Sequence, residues 1–259
     1  MALSSAELEQ LRLAKTILEN PGLAAKISKM VGSPIEKGFD MLPKKWNATV
    51  NEATRKSIET AFDVALWTMD RNRPRPPSNW WHKVAVGTAG MAGGAFGLPA
   101  LVIELPVSTT IILRSIADIA RSQEEDLSRP EARIQCIQVL ALGGGSSVDD
   151  AAETGYFATR AAMAKAVSDA ATHLMKQGFS RQGAPAIVRF ISLIASRFSI
   201  VVSEKAAAQA VPVVGAVGGA IINTLFIDHF QDMGTGHFIV RKLERLHGPE
   251  TVRHAYEAL

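Results

Sequence analysis

Two long segments almost free of charge constrain this chain more than anything else in it. Val84 to Leu113 (VAVGTAGMAGGAFGLPALVIELPVSTTIIL) holds one ionisable side chain, Glu104, and Ala206 to Ile227 (AAAQAVPVVGAVGGAIINTLFI) holds none. Both exceed the roughly 20 residues that span a bilayer as helix. Neither is an uninterrupted span, because Pro99 and Pro106 break the first, Pro212 interrupts the second, and Ala and Gly outnumber Leu. Gly90–Gly94, Gly93–Gly97 and Gly215–Gly219 recur at the four-residue spacing that lets helix backbones approach closely. Glycine costs a helix interior about 1 kcal/mol against alanine, so close packing must offset it. Gly90, Gly94, Gly97, Pro212, Gly215, Gly219 and Asn223 are the candidate packing or ligand-contacting residues. Two placements stay open: a buried helix pair at the centre of a bundle, or hairpins that enter or lie on a membrane. The mean hydropathy of +0.10 lies between the values usual for soluble and for polytopic membrane proteins.

The rest of the chain has helical apolar spacing, and strands are hard to place. The fold class expected is all-α, a multi-helix bundle built around Gly/Ala-rich apolar helices. Helices are predicted at 5–20 with Ser5 as N-cap, at 46–70, and near 80–97, 100–123, 130–142, 148–177, 185–204, 206–231, 236–247 and 249–257. Gly22, Gly32, Pro34, Gly38 and Pro43 predict short turns between the first two helices. Residues 1–45 are expected to form a helical arm and 46–259 the main domain. Arg71–Asn79 (RNRPRPPSN) reads as a hinge, since its prolines forbid helix. The first twenty residues form an amphipathic helix rather than a signal peptide, so a cytoplasmic chain is expected, peripheral on the inner face of the cell membrane if it meets lipid. A single cysteine, Cys136, excludes an internal disulfide and Cys-based metal clusters. A net charge of +3 is too small to argue for nucleic acid.

Chemistry has three places to sit. Glu104, Ser108, Ser115, Asp118 and Ser122 fall on one helical face, with Arg114 four residues before Asp118. A carboxylate in so apolar a run must be paired, hydrated or protonated. Asp149, Asp150 and Glu153 follow Ser146 and Ser147; capping and the helix dipole explain the first two and leave Glu153 unexplained. Asp228-His229-Phe230-Gln231-Asp232 precedes His237 by one turn. A hydrolase site would gather Glu104, Asp118, Glu153, Asp228 and His229. His229, Asp232 and His237 are the metal candidates, with Glu104 or Glu153 to complete the site, and no His-Glu-x-x-His or Glu-x-x-His supports them. Phosphate-loop and dinucleotide fingerprints are absent, and Gly144-Gly145-Ser146-Ser147-Val148 lacks the closing Gly of a nucleophile elbow. The cofactor, if the chain uses one, is unknown from the sequence. The helix His237–His247 sets Arg241, Lys242 and Arg245 against Phe238, Val240, Leu243 and Leu246, a basic face suited either to solvent or to anionic lipid.

Taken together, these motifs resemble the EcsC protein family. The resemblance rests on Gly97-Leu-Pro-Ala-Leu-Val-Ile-Glu104-Leu-Pro106, Arg114-Ser-Ile-Ala-Asp118-Ile-Ala-Arg121 and Glu125-Asp126-Leu127. It extends through Asp149-Asp150-Ala-Ala-Glu153-x-Gly155-Tyr156, then Gln209-Ala-Val-Pro212-x-x-Gly215, Gly218-Gly219 to Asn223, and Phe226-x-Asp228-His229. It covers roughly residues 50–256. One departure is Gln123-Glu124, where a Tyr-Gly-like pair is expected before Glu125. The resemblance implies a bacterial protein with an envelope connection, since the founding member is encoded beside an ABC transporter linked to secretion. The expected partners are a membrane lipid or an envelope protein. It implies no established reaction.

Overall fold

The computed structural model describes residues 3–19, 22–31, 36–68, 97–144, 155–177 and 184–259. Among them are ten helices and no strand: α1 (Ser5–Leu18), α2 (Leu23–Val31), α3 (Glu36–Met41), α4 (Trp46–Thr68), α5 (Gly97–Ser122), α6 (Pro130–Leu142), α7 (Gly155–Gln177), α8 (Pro185–Ala210), α9 (Pro212–His247) and α10 (Pro249–Glu257). The all-α expectation holds.

Local sequence sets the helix starts. Ser4, one residue earlier than expected, caps α1: its hydroxyl accepts from the Glu7 N–H while the Glu7 carboxylate accepts from the Ser4 N–H at 2.8 Å. Pro130, Pro185, Pro212 and Pro249 each open a helix, where the missing N–H costs nothing and the fixed φ is already helical. Pro212 therefore ends one helix and begins another, against the expectation of a single helix from 206 to 231. Two further expectations are corrected. The glycine- and proline-punctuated stretch after α1 contains α2 and α3 rather than turns alone. And α9 runs unbroken through Gly234–Gly236, where a stop was expected.

Close packing explains why those glycines do not end α9. A methyl on Gly236 would stand 2.6 Å from Leu18 Cγ and 3.2 Å from the Ala14 carbonyl oxygen, and one on Gly234 would touch Ile116. The glycines give α1 and α5 room to lie against α9.

α8 is the hub of the bundle, packed against α2, α3, α4, α5, α6, α7 and α9. Its Phe190, Ile194, Phe198, Val201 and Val202 are buried, and Phe198 meets Phe230 of α9 edge to face, with ring centroids 5.2 Å apart. Residues 1–45 lie against this body: α1 packs on α9 and α10, while α2 and α3 pack on α8. A second, smaller cluster joins Leu11 and Ala14 of α1 to Val240, Leu243, Val252 and Tyr256.

Candidate functional site

α8 ends and α9 begins at the same end of the bundle as the start of α5. The connection is a buried ion pair: Lys205 Nζ of α8 donates to Glu104 Oε1 of α5, with Lys205 fully buried. Nζ also sits 4.6 Å from the centroid of the Phe226 ring of α9. Burial pushes the Lys205 ammonium down from its ordinary value, and the Glu104 charge opposes that shift. Glu104 is the only ionisable residue in 97–113, and 206–227 has none. Turning Glu104 inward therefore leaves both segments without an exposed charge. Apolar side chains stand outward instead: Ile103 is 67% exposed, and Val102 and Ile221 are also exposed. Asn223, one turn before Phe226, has a buried side-chain oxygen with no hydrogen-bond partner among the described residues. Beside Lys205, the Glu204 carboxylate accepts from the Ala24 N–H at 3.2 Å, and burial pushes its pKa up to about 7.

The remaining sequence candidates spread out along the bundle. Asp118 lies fourteen residues beyond Glu104 on α5, about 21 Å along the axis; it is exposed and pairs with Arg121. The hydroxyls of Ser108, Ser115 and Ser122 bond carbonyls of their own helix, and the polar stripe runs from the buried Glu104 and Ser108 to the exposed Asp118 and Ser122. Asp228 faces solvent. His229 is buried, its Nε2 2.9 Å from the Gly143 carbonyl oxygen; burial holds its pKa at about 4, so that nitrogen donates. Asp232 pairs with Lys26 at 2.8 Å. Glu104, Asp118, Asp228 and His229 thus have separate surroundings. Among the described residues no group of three or more His, Cys, Asp or Glu side chains is arranged to hold a metal. Glu153, Gly90 and Gly94 lie outside the described residues, and so does the expected contact between 84–97 and 206–222, because 84–96 is not described. Gly97, Pro212 and Gly215 are described only as helix backbone. Gly219 is half-exposed, and a methyl there would meet no described residue within 4 Å; the segment expected to pack on it lies outside the described residues. Among the described residues, tight contacts occur at Gly38, against the Ala207 carbonyl, and at Gly144, against the Arg197 carbonyl.

Two arrangements escaped the sequence reading. Lys205 did, because a lysine ending Val-Val-Ser-Glu-Lys looks like a surface residue; an apolar helix with an isolated Glu needing a partner was the available signal. The second is a buried chain around His237. Arg160 of α7 grips Glu244 through two hydrogen bonds of 2.7 and 2.9 Å and also donates to the Tyr156 oxygen at 3.2 Å. Tyr156 Oη lies 2.9 Å from His237 Nδ1, and His237 Nε2 lies 3.1 Å from Gln135 Oε1. Burial pushes the His237 pKa well down, so the imidazole is neutral. The basic face of α9 is also engaged internally: Arg241 and Arg245 clamp Glu125, and Lys242 pairs with Glu124.

A family model described as the EcsC protein family matches residues 5–243. No curated protein and no solved structure matches the chain.

Proposed function

The chain belongs to the EcsC protein family, and from that premise we propose that it is a helical accessory protein without a reaction of its own, which meets membrane lipid through the uncharged end formed by the start of α5 and the corner between α8 and α9. It works on the cytoplasmic face of a bacterial inner membrane, alongside an envelope process. The observation that carries this reading is the inward turn of Glu104 onto Lys205. An ion pair held in the core at that point leaves Val102, Ile103 and Ile221 facing outward with no ionised neighbour from 97–113 or 206–227. Apolar side chains without charges resist hydration and favour an interfacial position. A helix long and apolar enough to cross a bilayer by length and composition, α8, is present among the described residues. Its contacts with seven other helices favour a role as core, so the reading is contact rather than crossing.

Flotation with phosphatidylethanolamine/phosphatidylglycerol vesicles tests this. The wild type is expected to rise with the vesicles. Ile103→Asp and Ile221→Asp are expected to stay behind while keeping the wild-type circular dichroism spectrum. Leu246→Asp serves as the control: Leu246 is exposed but lies about 37 Å from Ile221 along α9, so this variant should float like the wild type. A wild type that remains in the dense fraction, or Asp variants at 103 and 221 that float equally well, overturns the proposal.

A further inference from the structure

Between α6 and α7, away from the uncharged end, lies a cleft of about 360 Å³, within the size range of small-molecule sites. Gln135 and Gln138 of α6 form one wall with Glu131 at its edge; Ser168 and Thr172 of α7 form the other, with Arg160 at one end. Val167, Ala171 and Met175 supply apolar surface.

The buried chain at His237 sets how this wall presents itself. Arginine only donates, so the Tyr156 oxygen accepts from Arg160, and its own proton goes to His237 Nδ1. A neutral imidazole accepting at Nδ1 carries its proton on Nε2 and donates it to Gln135 Oε1. The Gln135 carboxamide is thereby turned with its oxygen inward, and its NH2 is left for the cleft. Gln138 is 2% exposed and borders the same space. Its carboxamide makes no hydrogen bond among the described residues and is not sealed from solvent, so it is left to bond water or a ligand in the cleft.

Charge narrows the ligand class. The two bonds from Glu244 offset the Arg160 guanidinium, and Glu131 has Arg129 3.8 Å away. The cleft therefore offers amide and hydroxyl groups beside an apolar strip, with no unbalanced charge. We infer that this cleft binds a small uncharged polyol, of the size of a monosaccharide. Hydroxyls on such a ring both donate and accept, matching Gln135, Gln138, Ser168 and Thr172, and its C–H face suits Val167 and Ala171. The inference is independent of the membrane reading, because it concerns other helices and a soluble ligand.

Titration calorimetry and saturation-transfer NMR with D-glucose, myo-inositol and glycerol test it, with glucose 6-phosphate as the anionic comparison. Saturable binding of at least one neutral polyol is expected, weakened about tenfold by Gln138→Leu, the equivalent of one lost hydrogen bond. Thr172→Val, which removes a hydroxyl from the opposite wall and preserves shape, should weaken binding several-fold. It remains informative if Gln138→Leu folds poorly. No saturation with any of the three polyols, undiminished binding by folded variants, or tighter binding of glucose 6-phosphate than of glucose overturns the inference.

Discussion

Glu124 has a backbone φ of +63°, in the left-handed region that side chains with a Cβ disfavour. It follows the end of α5, where the Glu125 N–H bonds the Ala120 carbonyl and the Glu124 N–H bonds the Arg121 carbonyl. This is the Schellman pattern, whose left-handed position glycine usually fills. The family resemblance points to a Gly-like residue at this very place. Glu124→Gly is therefore expected to stabilise the protein by about 1 kcal/mol, with little offset from losing the exposed pair to Lys242; an unchanged or lower urea midpoint would refute that account. The Glu104–Lys205 pair invites a sharper experiment. Lys205→Met alone leaves the Glu104 carboxylate buried without its cation and should cost roughly 3–5 kcal/mol. Combining it with Glu104→Leu removes both charges from the core and should recover most of that loss. Urea unfolding of the two single variants and the double variant checks this, and additive losses would mean that the two side chains do not depend on each other.

At the scale of helices, α1 shows how much the amino-acid order reveals. Its amphipathic spacing was legible over 5–20 and its cap to within one residue, Ser5 for Ser4, because both depend on neighbours within a turn. The surface it covers was not. α1 lies in a groove opened by Gly236 and packs with Val240, Leu243, Val252 and Tyr256, residues more than two hundred positions away. Removing residues 1–20 should therefore expose that cluster, lower the melting temperature and promote association, whereas a detachable arm would leave the melting curve in place. The same limit explains α9. Gly234–Gly236 looked like a stop, because an isolated glycine signals a helix end unless another helix presses against it, and Leu18 and Ile116 arrive from elsewhere in the chain. The four-residue glycine spacing drew attention away from Gly38 and Gly144, which lie against backbone of α8. Of the candidate site, Glu104 was legible because a lone carboxylate in an apolar run demands a partner. Lys205 was not, since only tertiary packing buries it.

Across the whole molecule, charge is arranged along α9. Its last turns carry Arg241, Lys242 and Arg245 in contact with Glu124 and Glu125; residues 212–227 carry no ionisable side chain, and Phe226 among them lies against Lys205. Groups of the interior couple this arrangement to pH in opposite senses. The pKa of His229 is depressed by burial from 6.5 to about 4, so its proton is taken up on unfolding. Its contribution is complete above pH 6.5 and disappears as pH falls towards 4, roughly 3 kcal/mol in all; His237, pushed down by the same cause, adds in the same direction. Glu204 runs the other way. Burial raises its pKa from 4.5 to about 7, so the folded chain keeps a proton that the unfolded chain releases, and that contribution is full below pH 4.5 and lost as pH rises through 7. Glu204→Gln retains an oxygen for the Ala24 N–H and removes the ionisation. Its stability should match the wild type near pH 4.5 and exceed it by up to about 3 kcal/mol above pH 7. Urea unfolding across that range measures the difference, and a gap independent of pH would show that Glu204 is not the titrating group.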